Sequence, residues 1–435
     1  MTRHMKSNKR LHLVIGIILL ISGVAFTWAP THWKRANAQI GRMPSQDAPP
    51  EVRANAVTLG GPVHTIVVAP NGDVYAGGSF TNGTGDSDID FIARWDGAAW
   101  HPLGKGLTPN DGSSGVLALA IDGTYLYVGG NFLSTGDGVE LNNFARWNMT
   151  TNAWEPLQYP CTHESGLCGP GITTGYVFAL ATSLKGSGVF VGGKFQPPYL
   201  ANEFIRNIGF YDGAQWSPLG SGLYEGDVYA LHSDSISGDL YVGGARLVSY
   251  DEIGAGNLRR WDGSAWHAIK DAPSFEQRIV DIDGMNGSIY VGGYFQIQTA
   301  TSGTGTPTYA YSVAKWDGSE WAGLGNNPIG DTPANVFAVG VSANNVYAGG
   351  AFIDERPGTA CNLFAEWNGQ SWGNAGASLD STSRQYVSAI TVSNGQVYVG
   401  GFFANAGGNP DADYIARYDG TNWYALVNVT PATNP

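Results

Sequence analysis

Seven times along this chain an apolar run rich in β-branched and aromatic residues ends on two adjacent glycines. The pairs are Gly77-Gly78, Gly129-Gly130, Gly192-Gly193, Gly243-Gly244, Gly292-Gly293, Gly349-Gly350 and Gly400-Gly401. They recur at intervals of roughly 50 to 60 residues, the signature of a repeat architecture. After each pair comes an aromatic followed by Asp or Asn: Trp95, Trp147, Tyr211, Trp261, Trp316, Trp367 and Tyr418. A second tryptophan follows each of these: Trp100, Trp154, Trp216, Trp266, Trp321, Trp372 and Trp423. Twelve of the 14 tryptophans occupy these two positions, which sets chance aside.

Each unit reads as four strands. In the second unit these are VLALA from Val116 (a), YLYVGG from Tyr125 (b), NNFARW from Asn142 (c) and AWEPL from Ala153 (d). Apolar alternation in a and b fits sheets covered on both faces, and the DG or NG turns between c and d are hairpin signals. One such unit cannot bury both of its faces alone, whereas seven arranged radially can, with tryptophans in the wedges between them. The expectation is an all-β fold, a seven-bladed β-propeller of four-stranded antiparallel blades over residues 55–430. The run AVTLGG from Ala56 resembles the end of a repeat and is a candidate to pair beside the last blade, and residues 39–54, with three prolines, read as a linker.

The pattern VYVGG…IARWDGxxW…PLGxG resembles kelch-type repeats, closest to the kelch-like propeller of the fungal cortical polarity marker family and its bacterial relatives. The resemblance covers about Val63 to Val427 and implies an interaction platform; it says little about function, because related folds also host enzymes.

The first 38 residues have a different chemistry. Arg3, Lys6, Lys9 and Arg10 precede an apolar run from Leu11 to Ala29, the layout of an export signal. Ala36-Asn37-Ala38 is an A-x-A cleavage site, yet the run is also long enough to span a bilayer, so residues 1–38 are either a signal peptide or an uncleaved anchor. Both place the propeller outside the cytoplasm. Without those residues 17 Lys and Arg face 36 Asp and Glu, a net charge of −19. So acidic a surface argues against nucleic acid and leaves the N-terminal segment as the one route to a membrane. Cys161 and Cys168 lie in one Gly- and Pro-containing loop and are expected to pair in an oxidising compartment, leaving Cys361 free.

Candidate chemistry is sparse. The copper radical oxidases of related folds need two tyrosines, two histidines and a cysteine round one metal, whereas His64, His101 and His267 fall on separate blades. WDGxxW lacks the spacing of the sialidase S-x-D-x-G-x-x-W box, and Arg94, Arg146, Arg260 and Arg417 recur with the repeat as structural residues. Asp281 and Asp283 stand on strand a of blade five where blade two has Ala118 and Ala120, and His232 takes the second position in blade four. Residues i and i+2 share a strand face, so these groups can meet between blades or at the axial channel.

The b-to-c and d-to-a connections are long and emerge on one face. That face is the expected binding surface, with the candidates Asp86, Asp88, Asp90, Asp137, Glu140, Tyr199, Tyr224, Tyr250, Tyr309, Tyr311, Asp411 and Asp413. Asp86, Asp88 and Asp90 form a weak calcium candidate without the Gly and Glu of an EF-hand loop; no other metal or cofactor is expected. The functional expectation is a non-catalytic binding or scaffold propeller that recognises a protein or glycan. The alternative is a polysaccharide-acting hydrolase or lyase with carboxylates in the central pocket.

Overall fold

In the computed structural model Met1–Pro44 and Ser45–Pro435 separate as two units. The described residues, all in the second, are 58–110, 115–157, 171–195, 205–249, 256–274, 276–301, 307–325, 334–353, 362–375, 379 and 385–428. The export or anchor segment and the three cysteines lie outside them.

Seven antiparallel sheets follow one another, each in the strand order a-b-c-d. Blade two adds a fifth strand, Leu107–Pro109, against the outer part of its long strand b. The inner strands are Val63–Val68, Gly115–Asp122, Gly175–Thr182, Leu223–Ser233, Arg278–Met285, Asn335–Val341 and Tyr386–Ser393. Each lies beside the inner strands of the blades before and after it, and the seventh lies beside the first. The molecule is therefore a closed seven-bladed propeller. Among the described residues the only helical elements are two 3-10 turns, Gly83–Gly85 and Ala406–Gly408.

The glycine pairs have a steric cause. A Cβ on the first glycine would strike a β-branched residue of the next blade: Val116 at Gly77, Ile279 at Gly243 and Val387 at Gly349. A Cβ on the second would strike a carbonyl oxygen at the start of its own blade's inner strand, that of Pro62, just before the strand, at Gly78 and of Tyr386 at Gly401. One glycine thus admits the neighbouring blade, and the other admits the β-bulge that each inner strand carries at this level.

The tryptophans staple blade to blade. Within a blade the two rings pack at centroid distances near Trp95–Trp100, 5.5 Å, and Trp316–Trp321, 5.2 Å. The second ring also donates its indole N–H to a carbonyl of the preceding blade: Trp154 to Leu103 at 3.0 Å, Trp266 to Leu219 at 2.8 Å, Trp372 to Leu324 at 2.7 Å. Because a buried indole N–H left unpaired is costly, each bond fixes where the next blade sits.

The same contacts close the ring. Trp100 donates to the carbonyl of Leu426, Ser388 Oγ to that of Val63 and Thr391 Oγ1 to that of Ile66, each at 2.7 Å. All four strands of blade seven come from the C-terminal end, so no strand is exchanged. Residues 58–62 form no strand beside it; Leu59 instead packs with Trp95, Trp100 and Leu426 as a plug over the seam.

Candidate functional site

The glycine register aligns the inner strands residue by residue. The residue opposite the first glycine is Thr65, Ala118, Ala179, Ala230, Asp281, Ala338 and Ala389 in blades one to seven. Two residues on stand Val67, Ala120, Ala181, His232, Asp283, Gly340 and Thr391. Blade five alone puts two carboxyls on these positions, and the residue next to them across the blade boundary is the one imidazole.

Both carboxyls point toward blade six. Asp281 accepts from the backbone N–H of Val339 at 2.8 Å and of Ile282 at 2.9 Å; Asp283 accepts from Val341 and Gly284, both at 2.8 Å. Their two donors on blade six, Val339 and Val341, are two residues apart along an extended strand, so the carboxyls are spaced by roughly 7 Å. On the other side His232 brings Nδ1 to 3.8 Å from Asp283 Oδ1, beyond hydrogen-bond range, and its Nε2 lies over Gly284.

Burial dominates the electrostatics. It pushes Asp281 up to about 7, against two backbone N–H bonds and helped by the charge of Asp283. Asp283 is also raised by burial, while the opposite charge of His232 pulls it back. Burial lowers His232, with Asp283 and Asp234 opposing. The charge of each carboxyl disfavours ionisation of the other. The Asp283 side chain is 34% exposed, so water reaches a pair that is otherwise deep in the protein.

Aromatic rings stand at the other level of the same strands. Tyr176, Phe178 and Tyr229 form a run across blades three and four, with centroids 5.8 and 5.6 Å apart. Phe337 and Tyr386 meet edge-on between blades six and seven at 6.1 Å. Burial raises the Tyr229 and Tyr386 hydroxyls to about 12. Tyr176 and Tyr386 stand three residues, about 10 Å, before the level of Asp281 on the long-loop side, and Phe178, Tyr229 and Phe337 immediately precede that level.

The acidic loops are mostly spoken for. Asp88 pairs with Lys105 at 2.7 Å, Asp86 accepts from the N–H of Asp88 at 2.9 Å, and Asp90 accepts from that of Asn82 at 2.6 Å. Blade seven repeats the device with Asp413 accepting from Asn405 at 2.9 Å, and the Asp411 N–H is bound by Asn409. Asp137 accepts from Thr135, and Glu140 from Asn142. Among the described residues no three His, Cys, Asp or Glu converge as metal ligands, so Asp86, Asp88 and Asp90 brace a loop. Tyr199 and Tyr250 lie outside the described residues, and Tyr224 belongs to the inner strand of blade four. Tyr309 and Tyr311 are not in a loop: strands b and c of blade five run on as Ser288–Thr301 and Pro307–Trp316, so the insertion is an extended hairpin. Among the described residues the other histidines, His64, His101 and His267, are structural. His64 is lowered to about 4 by burial and bonds Ser79, and His101 and His267 bond the turn residues Asp96 and Asp262 at 2.7 and 2.6 Å.

Three asparagines were missed by sequence reasoning. Asn143, Asn207 and Asn257 precede strand c, and each side chain accepts from a strand-b N–H while donating across the blade boundary, to Ile172, to Gly226, and to Ser274 and Gln277. Their recurrence just before strand c was the available signal.

No protein-family model and no curated protein matches this chain. Among solved structures it is similar to the GH74 enzyme of Niastella koreensis, at 17% identity and a TM-score of 0.52, and to the GH74 xyloglucanase of Xanthomonas campestris, at 15% and 0.54. Each match covers 86% of this chain and 55% of the other, so the chain spans about half the length of these neighbours. At such identities the likeness is one of fold. It supports the seven-bladed propeller and gives no support to kelch repeats or to the fungal polarity marker family. It also corrects the expectation of a non-catalytic domain, since both neighbours are enzymes. That expectation rested on the lack of a contiguous catalytic motif, and a propeller assembles its sites from single residues on separate strands.

Proposed function

We propose that this chain is a polysaccharide hydrolase whose carboxyl pair is Asp281 and Asp283. The observation that carries the reading is the pair itself: two carboxyls roughly 7 Å apart on one inner strand, at positions filled by small or apolar side chains in most other blades. The fold likeness to GH74 enzymes supports the same chemistry.

The roles follow from the environments. Asp281, raised to about 7, is protonated in a substantial fraction of molecules up to neutral pH and donates that proton to the glycosidic oxygen as the C1–O bond breaks. Asp283, whose rise through burial is opposed by His232, is assigned the base that takes a proton from the water attacking C1. A separation near 7 Å leaves room for that water and predicts inversion at the anomeric carbon. Because the inner strands encircle the pair, a chain end must enter past Phe178, Tyr229, Phe337 and Tyr386, whose faces suit pyranose rings. The reading therefore favours attack at chain ends. Residues 1–38, read as an export or anchor segment, would place the enzyme where such a polymer is met.

Proton NMR of fresh digests of xyloglucan and of cello-oligosaccharides tests the proposal. Inverted anomers and a steady release of short products support it; retained configuration, or a rapid fall in viscosity from mid-chain cuts, overturns the assigned pair.

A further inference from the structure

A groove of about 450 Å³ lies away from the channel, between the d-to-a connection that leads into blade five and the outer part of that blade's strand b. Asp271, Ser274, Gln277, Gln296, Gln298 and Thr299 contribute its polar lining. Gln296 is paired across the hairpin with Tyr311, and Gln298 with Tyr309. Cross-strand partners project from the same face of a sheet, so the two rings stand beside the two amides. The rings are 6.4 Å apart, and Tyr309 is 42% exposed.

We propose that this groove binds a neutral saccharide chain. The identification of a saccharide rests on the polysaccharide reading above, but the groove has its own chemistry. Its lining offers amide and hydroxyl donors and acceptors at high density, the match for a polyol. Among the described residues the carboxylate of Asp271 is the one ionisable group of the lining and no cation lines it, which disfavours anionic ligands. Among the described lining residues no apolar pocket of the kind that anchors a peptide is formed; Ile297 is buried and Ala272 and Pro273 are small. Gln277 supplies a specific hook: its Oε1 is buried and has no hydrogen-bond partner among the described residues, although Asn257 holds the backbone carbonyl of the same residue. A buried acceptor without a donor is costly, and a sugar hydroxyl supplies one. Exposed tyrosine faces beside convergent amides complete a stacking and hydrogen-bonding surface.

Native affinity electrophoresis of the full chain through gels containing xyloglucan, hydroxyethylcellulose, galactomannan or polygalacturonate is the test. The wild type should be retarded by at least one of the three neutral polymers and not by polygalacturonate. Tyr309→Ala and Gln277→Leu should weaken that retardation about tenfold in apparent Kd, the loss of a single anchoring contact. Tyr309→Phe, which keeps the ring, should retain it and so guards against a folding artefact. Asp281→Asn should be retarded like the wild type even where hydrolysis is lost. Retardation without hydrolysis by the wild type leaves the groove standing and removes the catalytic reading. Unaltered wild-type mobility in every neutral gel, retention of binding by both weakened variants, or preference for polygalacturonate overturns the groove.

Discussion

The indole N–H of Trp100 in blade one donates to the backbone carbonyl of Leu426, past the last strand of blade seven, at 2.7 Å. The amide of Trp100 is bound as well, by Asn428 Oδ1 at 2.8 Å. Every other seam of the propeller joins blades that are consecutive in the chain; this one joins its ends. Removing residues 426–435 takes away Leu426, which is buried, with both hydrogen bonds, and should cost about 3–5 kcal/mol. Chemical denaturation of the truncated chain measures it. A loss under about 1 kcal/mol would mean that the seam is held by the inner strands alone.

A second prediction concerns the same seam from inside. A Cβ at Gly400 would meet Val63 of blade one, so Gly400→Ala should destabilise by about 1–3 kcal/mol through overpacking. Val63→Ala removes the nearest obstruction, Cγ1 of Val63, at its own cost. The double variant should therefore lose less than the sum of the two single losses, and strict additivity would show that the residues do not meet.

Asn257 is buried and serves three backbone groups, accepting from Arg246 at 2.6 Å and donating to Ser274 at 2.7 Å and Gln277 at 2.6 Å. Asn257→Ala leaves those groups unpaired and should cost about 2–3 kcal/mol, against a negligible change for substitution of an exposed residue such as Glu276. Equilibrium unfolding in urea distinguishes the two.

The ring of blades was legible because its constraint is local and repeated. Gly77, Gly129 and their five counterparts are needed wherever one blade touches the next, so the pattern of contact is written into the spacing. Asp281, Asp283 and His232 were legible as departures from that pattern. The clasps of Asn143, Asn207 and Asn257 were not, because an asparagine before a strand reads equally well as a turn residue when its partner lies in another blade. Tyr309 and Tyr311 were assigned to a loop for a related reason: the Thr- and Gly-rich stretch from Thr299 to Thr306 looks like an insertion, and only pairing with Gln298 and Gln296 makes the flanks into strands.

Burial of Asp281 has a consequence for pH. Its carboxyl is raised from the usual value to about 7, so the folded protein binds a proton that the unfolded chain releases. The penalty for ionising it is absent below about pH 4, grows as pH rises, and is complete above about pH 7. Asp281→Asn, which cannot ionise, should therefore gain stability relative to the wild type across that window. Thermal melts of both proteins from pH 4 to pH 8 should diverge with rising pH; parallel curves would contradict a buried proton at this position.

The catalytic reading is tested most directly by the release of new reducing ends from xyloglucan and cello-oligosaccharides by the wild type, Asp281→Asn and Asp283→Asn. The wild type should release sugar, with kcat/KM falling above about pH 7 as the proton donor ionises. Each variant should be slower by about 10²-fold or more while remaining folded. Release by Asp281→Asn at the wild-type rate, or none from any neutral polysaccharide by the wild type, would contradict the assignment of Asp281 and Asp283 as the carboxyl pair of a hydrolase.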